Sequence, residues 1–213
     1  RIWATYLGGY SNYDVAWDCS IKNNNLYVVG ATYHDSLGTE FKPYTSIQFP
    51  IMTKAGAYNQ NTISYFDLFI TEFNLMFNMT WSTYYGGNID DNDPTFDIDS
   101  IGRIGIAFTT YSTNLPVSST MPGSYAQSYS ALADVAFTLF DSNGQKITHT
   151  YLSGSNYDYP EDLICNKHNE WLITGSTKSN NFPVANNIGS TLWFNTLTGS
   201  YNAFLLKLDS TIA

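Results

Sequence analysis

Few residues of this chain combine a type and a spacing that do chemistry. The densest oxygen-donor group is Asp90, Asp91, Asn92 and Asp93, with Asp97 and Asp99 nearby. A Ca²⁺ ion takes about six to eight oxygens, so Asp90, Asp91 and Asp93 would supply half a site. Their spacing lacks the glycine and the distal glutamate of an EF-hand, and an aspartate capping a turn is the plainer reading. His34, His149 and His168 are scattered, with no Cys, Asp or second His at metal-ligand spacing. No G-x-S-x-G elbow, P-loop, H-E-x-x-H or sialidase-type Asp box occurs. No catalytic residue is therefore assigned. Trp17, Trp171, Trp193 and the 17 tyrosines are able to stack on sugar rings. Trp171 opens a strand and reads as core. Trp193 and Phe194, in the loop Leu192-Trp193-Phe194-Asn195, are free to contact a glycan or a protein partner. Phe41 and Tyr44, in Phe41-Lys42-Pro43-Tyr44, form a second candidate contact.

Composition narrows the classes. The 213 residues carry 18 acids against 9 Lys and Arg, a net charge of −9. A nucleic-acid partner is excluded on that balance, because phosphate binding needs a basic stripe. Hydrophobic residues make up 43% and aromatics 16%, enough apolar surface to offset chain entropy, so the chain folds. Asn, Ser and Thr number 21, 21 and 23, against 4 Glu and 7 Lys, so helix formers are scarce and β structure is expected. No run approaches the roughly 18 apolar residues of a membrane-spanning helix. Starting at Arg1 suggests a mature or excised piece of a longer precursor. Cys19 and Cys165 are read as two buried free thiols rather than a disulfide. Asn78-Met79-Thr80 fits a glycosylation pattern but falls inside an expected strand.

The elements that must position these residues repeat. Trp3-Ala4-Thr5-Tyr6-Leu7-Gly8-Gly9 returns as Trp81-Ser82-Thr83-Tyr84-Tyr85-Gly86-Gly87, and again as His149-Thr150-Tyr151-Leu152-Ser153-Gly154. His149 thus stands as a structural substitution. Each unit then runs through the same landmarks. An Asp-bearing loop (Asp14; Asp90, Asp91 and Asp93; Asp158) is followed by a hairpin ending in Gly30-Ala31-Thr32, Phe108-Thr109-Thr110 or Gly175-Ser176-Thr177. A loop with Phe49-Pro50, Leu115-Pro116 or Phe182-Pro183 comes next, then a glycine at 56, 123 or 189. A strand closes the set at 66–74, 134–141 or 202–209. Unit one carries an extra stretch over about 37–48.

Four strands per unit are expected, in the middle unit about 95–99, 104–111, 133–141 and 146–152, with an Asn143-Gly144 turn. The strand at 134–141 puts Val135, Phe137 and Leu139 on one side and Ala136 and Phe140 on the other. It must be covered on both faces, as in a sheet stacked between like sheets. The expected fold is all-β, a β-propeller of four-stranded antiparallel blades with three repeat units. Residues 1–9 would be the last strand of a blade and 10–87 the first repeat. Residues 88–154 would be the second, and 155–213 a third lacking its last strand.

The set W-[AS]-T-Y-[LY]-G-G, acidic loop, G-x-T, F-P and D-x-F-x-x-[KE]-[FL]-[ND] resembles the bacterial SBBP beta-propeller repeat, in three copies over essentially the whole chain. Departures are the missing Trp and second Gly of the third copy, Phe108 in place of Gly in the second, and the insertion in the first. The resemblance implies a propeller in secreted or cell-surface proteins, adhesin-like or part of surface machinery, and implies no catalytic residue. Three blades make a cramped ring, so a larger propeller, an exchange of terminal strands between two copies, or a filament is expected. The expected function is a non-catalytic extracellular scaffold that meets a protein partner or itself through blade faces or terminal strands. The alternative is a lectin-like, glycan-binding propeller; an enzyme built from central Asp and Tyr residues ranks third.

Overall fold

The computed structural model describes residues 4–9, 13–33, 49–121, 123–130, 132–184 and 199–212. Among them the chain is entirely β. The strands are β1 (Asp14–Lys22), β2 (Asn25–Tyr33), β3 (Phe66–Asn74), β4 (Met79–Tyr85), β5 (Asp91–Ile98) and β6 (Ile104–Thr110). They continue with β7 (Ser118–Ser119), β8 (Asp134–Phe140), β9 (Lys146–Tyr151), β10 (Asp158–Cys165), β11 (Trp171–Thr177) and β12 (Asn202–Leu208). Three antiparallel sheets result, ordered β1-β2-β3-β4, β5-β6-β8-β9-β7 and β10-β11-β12. Tight turns join β1 to β2, β3 to β4, β5 to β6, β8 to β9 and β10 to β11, and longer connections join the remaining neighbours. Asn23 and Asn24, both at positive φ, close β1 onto β2. Asn74, Asp99, Asp141 and Asn166 each end a strand by accepting N–H bonds from residues two and four further on.

The middle sheet lies between the other two. Every residue of β6 and of β8 is buried. Ala136 and Phe140 enter a core with Leu68, Ile70, Trp81 and Tyr85 of the first sheet. Val135, Phe137 and Leu139 enter a second core with Trp171, Ile173 and Phe204 of the third. The two-sided pattern expected of this strand is therefore the observed one. Two tryptophans fix the spacing. Trp81 lies over Gly144, where an added Cβ would be 2.9 Å from the indole, and Trp171 lies over Gly105, where it would be 2.5 Å away.

Phe108 was the departure from the repeat, and its ladder partner explains it. Gly30 pairs with Phe69, and Gly175 with Phe204. In each case the phenyl ring fills the space that a glycine leaves open. In the middle sheet the pair is inverted, with Phe108 opposite Ala136. One large and one small residue share the site either way. The F-P loops serve the same pairs, since Phe49 stacks on Phe69 at 4.1 Å and Phe182 on Phe204 at 4.6 Å.

Two expectations change. Residues 4–9 form no strand, and Tyr6 is fully exposed. A strand needs a ladder partner, and no strand pairs with this stretch. The thiols are free as expected, but Cys19 is exposed and Cys165 half-buried, because both stand on edge strands. Among the described residues no helix is long and apolar enough to cross a membrane.

Gly175→Ala should destabilise the chain by about 1–3 kcal/mol. The new Cβ would lie 2.1 Å from the Tyr159 carbonyl oxygen and 2.5 Å from the Phe204 ring. Urea unfolding measures this, and an unchanged midpoint would contradict the packing described.

Candidate binding site

Each unit enters its first strand through the same aspartate. Asp14, Asp91 and Asp158 accept the backbone N–H of Gly9, Gly87 and Gly154 at 2.8, 2.7 and 2.8 Å. Their other partners come from the hairpin end: Thr32 donates to Asp14 at 2.6 Å, Ser112 to Asp91 and Ser179 to Asp158 at 2.8 Å each, and Thr177 also to Asp158. The Gly-Gly turn is thereby tied to the second strand of its own sheet. This accounts for Asp91 among the acidic triplet. Asp90 turns toward the first sheet, accepting from the Phe66 N–H at 3.4 Å, and Asp93 lies exposed on β5. The three carboxylates thus face different neighbours. Among the described residues no group of three or more His, Cys, Asp or Glu side chains could hold a metal ion.

A second buried aspartate, Asp67, opens β3 beneath Gly86. The Ser64 N–H and the Gln60 amide both donate to it at 3.2 Å. Gln60 belongs to a repeated Tyr-x-Gln: Tyr58 donates to Gln60, and Tyr125 to Gln127, at 2.9 Å. Burial first, and then the charge of Asp91, pushes the Asp67 carboxyl up to about 8. Burial pushes Asp91 up to about 6, against the hydrogen bonds from Thr110, Gly87 and Ser112. His149 is buried with Nδ1 2.7 Å from the Thr138 hydroxyl and 3.0 Å from that of Tyr85. Burial lowers its pKa to about 3, so it stays neutral, a core residue as expected.

The first strands converge. β5 packs against β1 and β2 on one side and against β10 on the other. All three first strands carry a bulge near one position: between Ala16 and Asp18, between Asn92 and Thr95, and between Pro160 and Asp162. Trp17, Pro94 and Glu161 each stand three residues past the unit's aspartate, inside that bulge. Bulges re-aim side chains, and here residues of all three units line one cavity of about 290 Å³. Asp93, Thr95, Thr109, Tyr159 and Pro160 complete its walls. Trp17 is 51% exposed.

Of the residues singled out in the sequence, Phe41, Tyr44, Trp193 and Phe194 lie outside the described residues, as does the insertion of the first unit. Trp171 is core, fully buried. Trp17 and Asp93 are brought to the cavity. Glu161, Thr109 and Tyr159 were missed, since each looks like an ordinary strand residue until three units are superposed. Compared with known proteins, the chain matches no family model and no curated protein sequence.

Two outcomes follow from the buried aspartates. Asp158→Ala leaves buried donors unpaired and should cost at least about 2 kcal/mol in urea unfolding. Folded Asp67 retains a proton that the unfolded chain releases. Its contribution to stability is full below pH 3.8 and is lost as pH rises through about 8. Asp67→Asn should flatten that decline in denaturation curves from pH 5 to about 9; an unchanged slope would contradict it.

Proposed function

We propose that the chain is a section of a β-propeller acting outside the cell, at a bacterial surface, as a non-catalytic binding scaffold. The observation that carries this is the stack of three like sheets whose first strands converge on one cavity through bulges at one repeated position. Stacked four-stranded meanders with their first strands at the centre are the build of propeller blades. The likeness of the repeats to SBBP propeller repeats supports the same reading and supplies the surface location. Ligand contact falls on the bulged strands of a rigid frame, where geometry is held by packing on both sides.

The outer sheets also favour an assembly. β12 alternates buried and exposed residues, and Leu205 on β12 and Ile164 on β10 are 57% and 52% exposed. β6 and β8, covered on both sides, show what another sheet would bury there. Among the described residues β12 is moreover the last strand of its sheet. Further blades, from a longer chain or from other copies, would meet that face.

Glycan binding is the second reading, favoured by the exposed Trp17 ring at the cavity. A glycan array with folded, multivalent protein tests it, and silence across the array would remove it.

Light scattering of the 213-residue chain should give a particle heavier than 23.9 kDa. The double substitution Leu205→Lys and Ile164→Lys should return it toward that mass. A monodisperse single-chain particle would contradict assembly through this face. Turnover of a substrate that a point change abolishes would contradict the scaffold role.

A further inference from the structure

The charge lining the cavity is of one sign. Asp93 and Glu161 bring two carboxylates, which only accept hydrogen bonds. Neither has an ion pair or hydrogen bond among the described residues. The ion pairs there, Lys54–Glu72, Arg103–Asp99 and Lys207–Glu170, all lie elsewhere. The two acids are near enough that Glu161 adds to burial in holding the Asp93 carboxyl above its usual range. A third group is independent of them. Thr109, a residue of the cavity wall, is only 1% exposed, and its Oγ1 has no partner. Its ladder neighbour Asn92 also keeps a buried Oδ1 without a donor. Buried polar atoms are left unpaired at a cost of about 1–3 kcal/mol each, so native proteins keep few of them without a reason. Trp17 and Tyr159 supply aromatic surface beside these acceptors.

We propose that this cavity binds a guanidinium group, the side chain of an arginine on a protein partner. The lining asks for a ligand that donates, carries positive charge and is flat. Guanidinium has five N–H donors and no acceptor, stays charged at any ordinary pH, and stacks on aromatic rings. Asp93 and Glu161 would take its N–H groups in charge-assisted bonds, Thr109 Oγ1 would accept another, and Trp17 would cover its plane. A bare cation would leave most of the 290 Å³ empty. A neutral sugar would bring no charge to meet the two carboxylates. The net charge of −9 would steer a basic partner to the surface. The inference rests on reading the converging strands as the ligand face of the scaffold.

Calorimetric titration of the 213-residue chain with N-acetyl-arginine amide tests this, beside the uncharged isostere N-acetyl-citrulline amide and a tetrapeptide with one arginine. The arginine compounds should bind, with the tetrapeptide at least as tight as the amide, and citrulline should give no heat. Glu161→Gln, Asp93→Asn and Trp17→Ala should each weaken binding at least about tenfold. These residues are exposed, and an unchanged circular dichroism spectrum shows that each variant is folded. No heat up to about 10 mM arginine amide would overturn the proposal, as would equal binding of citrulline. Binding of the free amide without the tetrapeptide would overturn the protein partner. Heat from CaCl₂ that Glu161→Gln abolishes, with arginine silent, would replace guanidinium by a metal ion. Light scattering of the same samples separates this from the scaffold reading: an unchanged heavy particle with no arginine binding leaves the assembly standing and removes only the ligand.

Discussion

The structure depends on a sheet that water reaches on neither face. Every side chain of β6 and β8 is buried, so neither strand could survive in a single layer. Burying an apolar side chain contributes about 1.5–3 kcal/mol, and the middle sheet collects that gain on both sides. The same burial forbids independence: remove either neighbour and a full apolar face meets water. The tryptophan-on-glycine contacts make the stack specific as well as adhesive. Trp81 fits only because position 144 has no side chain, and Trp171 only because position 105 has none. Registry between sheets is therefore written into two glycines that no strand propensity would favour.

That constraint also explains why the proposed ligand face lies at the first strands. A side chain on β6 or β8 is committed to packing, and one on the aspartate-tied turns is committed to hydrogen bonds. β1, β5 and β10 are edge strands of their sheets, with one ladder side free and a bulge that turns a residue out of the pleat. Where the three edges meet, the fold spends no side chain on its own stability at Trp17, Asp93 or Glu161. A rigid frame with uncommitted, chemically one-sided residues at its centre is suited to recognition.

Much of this was legible in the sequence, for physical reasons. Two-sided strands show as apolar residues on both alternating positions, which is why 134–141 and 66–74 declared their burial and nearly their ends. The repeated Gly-Gly, aspartate and G-x-T landmarks were visible because a single hydrogen-bond knot requires all of them together. The inversion of Gly30–Phe69 into Phe108–Ala136 looked like decay of the repeat, since a compensating pair is seen only once strands are in register. The opening stretch read as a strand because Trp3-Ala4-Thr5-Tyr6 copies β4, yet a strand is a property of its partner, and residues 4–9 have none. The cavity was out of reach for a related reason. Trp17, Asp93 and Glu161 are far apart in the chain, and only the bulge at a repeated offset joins them.

Hydrogen exchange followed by mass spectrometry tests the stacking most directly, because it reads the protection of each strand. The account predicts the slowest exchange in peptides covering β6 and β8, and markedly faster exchange in β1, β10 and β12 at the sheet edges. Exchange in β6 and β8 as fast as in those edge strands would mean that the middle sheet is not enclosed, and would contradict the account.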